Sequence, residues 1–232
     1  MKKRTLVAFI VVLILPVVSY FIVNSYSKDA IAMPRHYFYD TVVTKVQKGK
    51  LVDDTIWHKI KPFKLLNQFG DSVGIDDWGG KIIVANFFFT SCPSICPTLT
   101  SNMKKLQTAF IKTDTIVRFI SFTVDPSRDT VQKIKAYGDK YGINHDTWWM
   151  LTGPKKEIYD IAFNEFKVYA NSVEKVDSSF IHTDKFILID RDKVVRGFYD
   201  GLDSNHLDQL IKDIVLLNME RDKKRKRNLF RK

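Results

Sequence analysis

Cys92 and Cys96 are the only cysteines in the 232-residue chain, and they stand four apart in Cys92-Pro93-Ser94-Ile95-Cys96-Pro97. If that turn is helical, the rise places their Cα atoms about 6 Å apart on one face. That spacing permits two chemistries. It falls in the roughly 4.4 to 6.8 Å window for a disulfide, and it lets two thiolates grip one small soft metal ion. A helix N-terminus favours the thiolate, which assists either reaction. The blander reading, two small buried hydrophobes, is disfavoured because the pair follows a buried strand at the carboxyl edge of a sheet, where open α/β folds place their sites.

The strand is Lys81-Ile82-Ile83-Val84-Ala85-Asn86-Phe87-Phe88-Phe89, an almost continuous apolar run of the kind that a central strand covered on both faces requires. After the cysteines, Leu99, Met103, Leu106 and Phe110 recur at steps of four and three, which predicts a helix with one buried face. Thr115–Val124 reads as the next strand, and a helix restarts near Asp129 or Thr130. Trp148–Leu151 is a short strand, and Pro154 suits the first turn of a helix carrying Ile158, Ile161, Ala162 and Phe166. Phe186–Asp190 and Val194–Tyr199 flank Arg191-Asp192-Lys193 as a hairpin before a last helix with Leu207, Leu210, Ile211, Ile214 and Val215. The order describes an α/β layer with a mixed central sheet flanked by helices.

The formal charge of +11 sits at the ends. Lys2, Lys3 and Arg4 open the chain, and Arg221 to Lys232 hold eight Lys or Arg against Asp222, which leaves the body near neutral and excludes a nucleic-acid partner. Leu6 to Val23 is apolar except for Pro16 and Ser19, long enough for the lower range of a bilayer span. A signal peptide also opens with basic residues, but its apolar core is shorter and its cleavage site close. The one A-x-A triplet here, Ala30-Ile31-Ala32, lies beyond charged Lys28 and Asp29. The segment reads as an uncleaved transmembrane anchor that places the domain in the periplasm or an equivalent space outside the cytoplasm. There, the only two thiols of a chain are unlikely neighbours by accident. The expected organisation is residues 1–5 as a cytoplasmic basic segment, 6–23 as the anchor, 24–60 as a stalk and irregular extension, 61–220 as the functional domain, and 221–232 as a basic tail.

Phe87 to Pro97, then Ser121-Phe122-Thr123-Val124-Asp125-Pro126-Ser127-Arg128-Asp129-Thr130, Leu151-Thr152-Gly153 and a lone His182 before an apolar strand together resemble the Sco/SenC family of membrane-anchored copper-delivery proteins. The match runs from about Phe63 to Leu217. The resemblance implies a thioredoxin-like fold, one copper ion, Cu(I) or Cu(II), held by Cys92, Cys96 and His182, and delivery to the binuclear copper site of cytochrome c oxidase subunit II or another copper-accepting protein. An upstream copper donor or thiol reductant is implied as a second partner. Family members often carry Asp just before the His; here Ile181 stands there, with Asp184 two residues after it. Ligand chemistry agrees: thiolates select Cu(I) and imidazole accepts either copper state.

The competing function is an extracytoplasmic thiol-disulfide oxidoreductase in which Cys92 and Cys96 form a redox-active pair that reduces the target's cysteines. Two features separate the readings. A reductase has no need of His182, and no proline stands between Pro154 and the C-terminus, where thioredoxin-like reductases place one facing the cysteines. A peroxidase, the third reading, has Thr or Ser three residues before its reactive Cys, and Phe89 holds that position. His36, His58, His145 and His206 read as solvated, Met103 as core, Trp148 and Trp149 as strand and core residues, and Asp125 and Asp129 as loop organisers that cap the following helix.

Overall fold

The computed structural model describes residues 12–21, 33–47, 50–113, 116–168 and 183–229. The chain divides into two units, Met1–Met33 and Pro34–Lys232. In the first, residues 12–21 are helical, with Val12, Leu13, Ile14, Leu15, Val17, Val18, Tyr20 and Phe21 all exposed. The rest of the Leu6–Val23 run lies outside the described residues. Among those described, no helix is long and apolar enough to cross a membrane.

The second unit is built on a five-stranded sheet. Its strands are β5 (Ile82–Phe88), β6 (Val117–Thr123), β7 (Trp148–Leu151), β8 (Lys185–Ile189) and β9 (Val195–Asp200), in the spatial order β7-β6-β5-β8-β9. β5, β6 and β7 run parallel, whereas β8 and β9 are antiparallel additions on the other side of β5. All seven residues of β5 are buried. Ile83, Ala85 and Phe87 enter one core with Ile158, Ile161, Ala162 and Phe166. Ile82, Val84 and Phe88 enter the other, with the apolar stripes of α1 (Cys96–Ala109), α2 (Val131–Lys140) and α4 (Ser204–Leu229). Two faces both covered are why β5 shows no polar alternation.

Asn86 interrupts that run, and its amide is satisfied across the sheet. The Ser121 hydroxyl donates to Asn86 Oδ1 at 2.6 Å and accepts from Trp148 Nε1 at 2.9 Å. The chain of bonds crosses β5, β6 and β7 inside the core and fixes their register, because a slip would strand a buried polar group.

The β7 edge is closed by a side chain acting as a strand. Buried Gln68 follows β3 (Leu65–Leu66), which pairs with β4 (Ser72–Val73); its amide nitrogen donates to Trp148 O at 3.0 Å and its oxygen accepts from Met150 N–H at 2.9 Å. Leu66 and Thr152 exchange two backbone bonds just beyond. An edge finished this way offers little to another chain.

Two elements differ from expectation. The helix after Pro154 is only α3 (Lys155–Asp160), and Ile161–Glu165 continues as a π turn. The four expected apolar residues are buried all the same, since the wider turn re-aims them at the core. Residues 24–60, read as a stalk leading into one or two irregular strands, carry two full paired strands, β1 (Tyr39–Gln47) and β2 (Lys50–Trp57), from Tyr39 opposite Trp57 to Gln47 opposite Lys50 with a register irregularity between Tyr39 and Thr41. Their cross-strand Thr44–Asp53 and Lys45–Asp54 pairs mix charge with apolar positions on both faces, so no period-2 signal shows in the sequence. The compact unit begins ahead of them, at Pro34.

Replacing Gln68 with Ala leaves a buried carbonyl and a buried N–H of β7 without partners. The substitution is expected to destabilise the domain by about 2 to 3 kcal/mol, read as a lowered denaturation midpoint with unchanged m-value. A loss under about 0.5 kcal/mol, the scale of a surface change, would show that Gln68 does not close the edge.

Candidate metal centre

The cysteines occupy the loop that β5 feeds into α1, at the carboxyl edge of the sheet. Asp129, only 1% exposed, fixes where that loop starts. Its carboxylate accepts hydrogen bonds from Thr90 N–H at 3.0 Å, from the Thr90 hydroxyl, and from the Thr123 hydroxyl at the end of β6. The expected capping role belongs instead to Thr130, whose hydroxyl accepts from Lys133 N–H, because the Asp129 carboxylate is turned inward. Asp125 does organise its loop, accepting from the Ser127 hydroxyl and Arg128 Nε.

Past Thr90 the chain turns with Cys92 N–H on Phe89 O at 3.3 Å, and α1 begins at Cys96 with Pro97 in its first turn, where its missing donor costs nothing. Pro93 and Ser94 are exposed, whereas Cys92 and Cys96 are 7% and 4% exposed. Both are free thiols, and the Ser94 hydroxyl lies 3.9 Å from Cys92 Sγ. Burial works against ionisation of Cys92, but hydrogen bonds from the Cys96 thiol, the Cys96 and Ser94 N–H groups and the Ser94 hydroxyl outweigh it and hold its thiol below the ordinary range. Burial pushes the Cys96 thiol up to about 12, reinforced by its bond to Cys92 and by the charge of Asp129. The pair is therefore asymmetric: Cys92 is the more acidic thiol, and Cys96 holds its proton more tightly.

The other side of the loop faces β8. In the antiparallel register, Ala85 opposes Ile187, so Lys185 comes level with Phe87 and Thr183 and Asp184 stand at the same edge as the cysteine loop. Gly201 ties this edge to α1: its N–H donates to Asp184 O at 2.8 Å and its carbonyl accepts from Asn102 Nδ2 at 2.8 Å. A Cβ at Gly201 would come within 2.5 Å of Leu99 Cδ2 and 3.0 Å of Asp184 O, so a larger residue would push Leu99 and crowd the strand end. The Asp184 carboxylate pairs with Lys185 at 2.9 Å. His182 lies outside the described residues, and among those described no three His, Cys, Asp or Glu side chains form a metal-holding group.

Of the remaining candidates, Met103 and Trp148 are fully buried core residues, and Trp149 stacks on Trp78 at 3.6 Å. The histidines correct the expectation of four solvated rings, since only His206 is exposed. His36 stacks on Trp57 at 4.6 Å, and His145 bridges Gln68 and Asp139. His58, 8% exposed, lies between Asp40 at 2.7 Å and Glu165 at 3.3 Å. Its neighbours are distant in sequence, so local polarity misled. Sequence reasoning also missed Asn102 and Gly201; an amide on the buried stripe of Leu99, Met103 and Leu106 was the available signal, because a buried amide needs a partner.

Two outcomes follow. Asp129→Asn keeps the shape but turns an amide N–H₂ toward donors, and is expected to cost about 2 to 3 kcal/mol, with faster amide exchange at Thr90–Cys92; an unchanged melting curve and exchange would contradict its role. Iodoacetamide at pH about 7 to 8.5, at or below the ordinary thiol value, should modify Cys92 well before Cys96, and equal rates would contradict the asymmetry.

Comparison with known proteins follows the same lines. The SCO1/SenC family model matches residues 55–217. The SCO1 protein homolog of Bacillus subtilis is 33% identical over 167 residues, covering 72% of this chain and 86% of that one. The solved structure of BsSco, described as having a disulfide switch and as a member of the Sco family of cytochrome c oxidase assembly proteins, superposes with a TM-score of 0.60 at 32% identity, covering 70% of this chain and 94% of that one. ScoI of Bradyrhizobium japonicum, solved with copper bound, gives a TM-score of 0.54 at 28% identity over 66% of this chain and 96% of that one. The mixed sheet with flanking helices is the fold of these Sco structures, and on the family match together with the cysteine loop the chain belongs to the SCO1/SenC family.

Proposed function

We propose that this protein is a membrane-anchored copper carrier that binds copper through Cys92, Cys96 and His182 and delivers it to the binuclear copper site of cytochrome c oxidase subunit II. The observation that carries the reading is the pair of free, buried thiols at the start of α1, with the β8 edge that follows His182 held against the same helix through Gly201. The donor set fits copper: two sulfurs suit Cu(I), one imidazole extends the set to Cu(II), and burial keeps competing hard ligands away. Copper is cargo here. Both thiols give up their protons as metal arrives, Cys92 the more readily, and the exposed Pro93-Ser94 turn leaves the pair approachable by a recipient's ligands. The relatives support this: ScoI carries copper, and BsSco belongs to a family of oxidase assembly proteins. The anchor at residues 6–23, the basic segment at 1–5 and a domain facing the periplasm complete the reading; the apolar helical residues 12–21, exposed in the first unit, are consistent with lipid contact.

The second reading, a thiol-disulfide oxidoreductase acting on the recipient's cysteines, is favoured by one observation, the split between Cys92 and Cys96. The more acidic Cys92 suits the attacking nucleophile, with Cys96 as the resolving thiol.

Copper titration of the reduced chain separates the two. Either cysteine changed to Ser is expected to lose stoichiometric Cu(I), and oxidation of the pair to a disulfide should do the same. His182→Ala should retain Cu(I) while losing the thiolate-to-Cu(II) absorption, because Cu(II) leans more on nitrogen donors. Unchanged copper spectra in His182→Ala together with substantial disulfide reduction would replace the carrier reading with the oxidoreductase.

A further inference from the structure

The charge left over by the copper reading lies at the end of α4. Five consecutive basic residues, Lys223 to Arg227, sit in a twelve-residue stretch with eight Lys or Arg and one Asp, whereas residues 5–220 are close to neutral. The backbone continues as one helix from Ser204 to Leu229. Its buried stripe of Leu210, Ile214 and Leu217 ends there, Met219 is exposed, and no apolar residue follows until Leu229. The backbone runs on for nine more helical residues, about 13 Å. Their sequence places like charges three and four apart, Arg221 with Lys224 and Arg225, Lys223 with Lys226 and Arg227, and Lys224 with Arg227, and only Glu220 and Asp222 stand at the same spacings to offset them, so positive charge remains in excess. A counter-charge outside the domain would relieve that repulsion.

The position of this helix end indicates where the counter-charge lies. Arg196, buried in β9, holds Pro34 O at 2.7 Å with Nη2 and lies 3.3 Å from Glu220 Oε2 through Nη1. Arg191 Nη2 donates to Asn218 Oδ1 at 2.7 Å on the same turn. One side chain thus joins the residue at which the chain enters the domain to the residue that precedes the basic run. The start of α4 is at the other end, three residues after Gly201, beside the cysteine helix.

We infer that residues 221–229 of α4 bind the anionic headgroups of the bilayer that holds the N-terminal segment, so that the domain is attached twice at one end and the Cys92–Cys96 loop is left at the opposite edge. The inference rests on the anchor proposed above. Pro34 is eleven residues past Val23, a span of at most about 36 to 40 Å, short enough to let the helix end reach the surface. Polybasic segments close to an anionic leaflet are drawn to it within a Debye length. The near-neutral body favours lipid over nucleic acid, which would call for a basic face on the domain itself.

The test is amide exchange on the full chain reconstituted in phosphatidylcholine bilayers, with and without phosphatidylglycerol, alongside vesicle flotation. Exchange at residues 221–229 is expected to slow by about tenfold or more with phosphatidylglycerol, with the effect lost in high salt and in a variant carrying K223Q, K224Q, R225Q, K226Q and R227Q. Equal exchange in both bilayers overturns the inference, as does protection by duplex DNA with none by phosphatidylglycerol. The anchor is scored separately: a chain that fails to float with neutral vesicles but floats with anionic ones refutes the anchor and supports lipid binding by α4.

Discussion

A single buried carboxylate holds the site in place. Asp129 is nearly inaccessible and takes hydrogen bonds from one backbone N–H and two hydroxyls, a set that a carboxylate satisfies and a neutral side chain does not. Those donors belong to Thr90, where β5 becomes the cysteine loop, and Thr123, where β6 ends. The charge is thereby converted into position, since the loop can leave the sheet only from one point. Burial is the main influence that keeps the proton on Cys96, and the same charge adds to it after the neighbouring Cys92.

Around this tie the fold supplies rigidity. β5 has no solvent-facing side, and the Asn86–Ser121–Trp148 chain locks it to its neighbours, so the strand that delivers the cysteines has one register. On the far side, Gly201 brings Asp184 and α1 together, coupling the segment that follows His182 to the helix that starts at Cys96. The proposed metal site joins residues ninety positions apart and calls for such a clamp, because its ligands come from elements with no local reason to meet.

The parts legible in the sequence were those that physics writes locally. The continuous apolar run of β5, the four-and-three stripe of α1 and the cysteine spacing at a strand-to-helix turn each carry their own signal, and each stands where the sequence placed it. What failed was decided at long range. His58 looks polar in its neighbourhood, yet Asp40 and Glu165 close over it from elsewhere in the chain. Asp129 has the composition of a helix cap, but a competing set of donors across the sheet claimed it and left the cap to Thr130. Gln68 sits in a turn-like stretch, and nothing local shows that its amide completes an edge strand. The β1–β2 hairpin hides for another reason, since both its faces mix charged and apolar residues.

The central claim is that two sulfurs and one nitrogen of this chain hold copper. X-ray absorption at the copper edge on the full chain loaded with one equivalent of Cu(I), and again after oxidation to Cu(II), reads that donor set directly. The account predicts two sulfur scatterers from Cys92 and Cys96 in both states, with a nitrogen shell in Cu(II) that disappears in His182→Ala. A first shell of nitrogen and oxygen alone, or a nitrogen shell that survives His182→Ala, would contradict it.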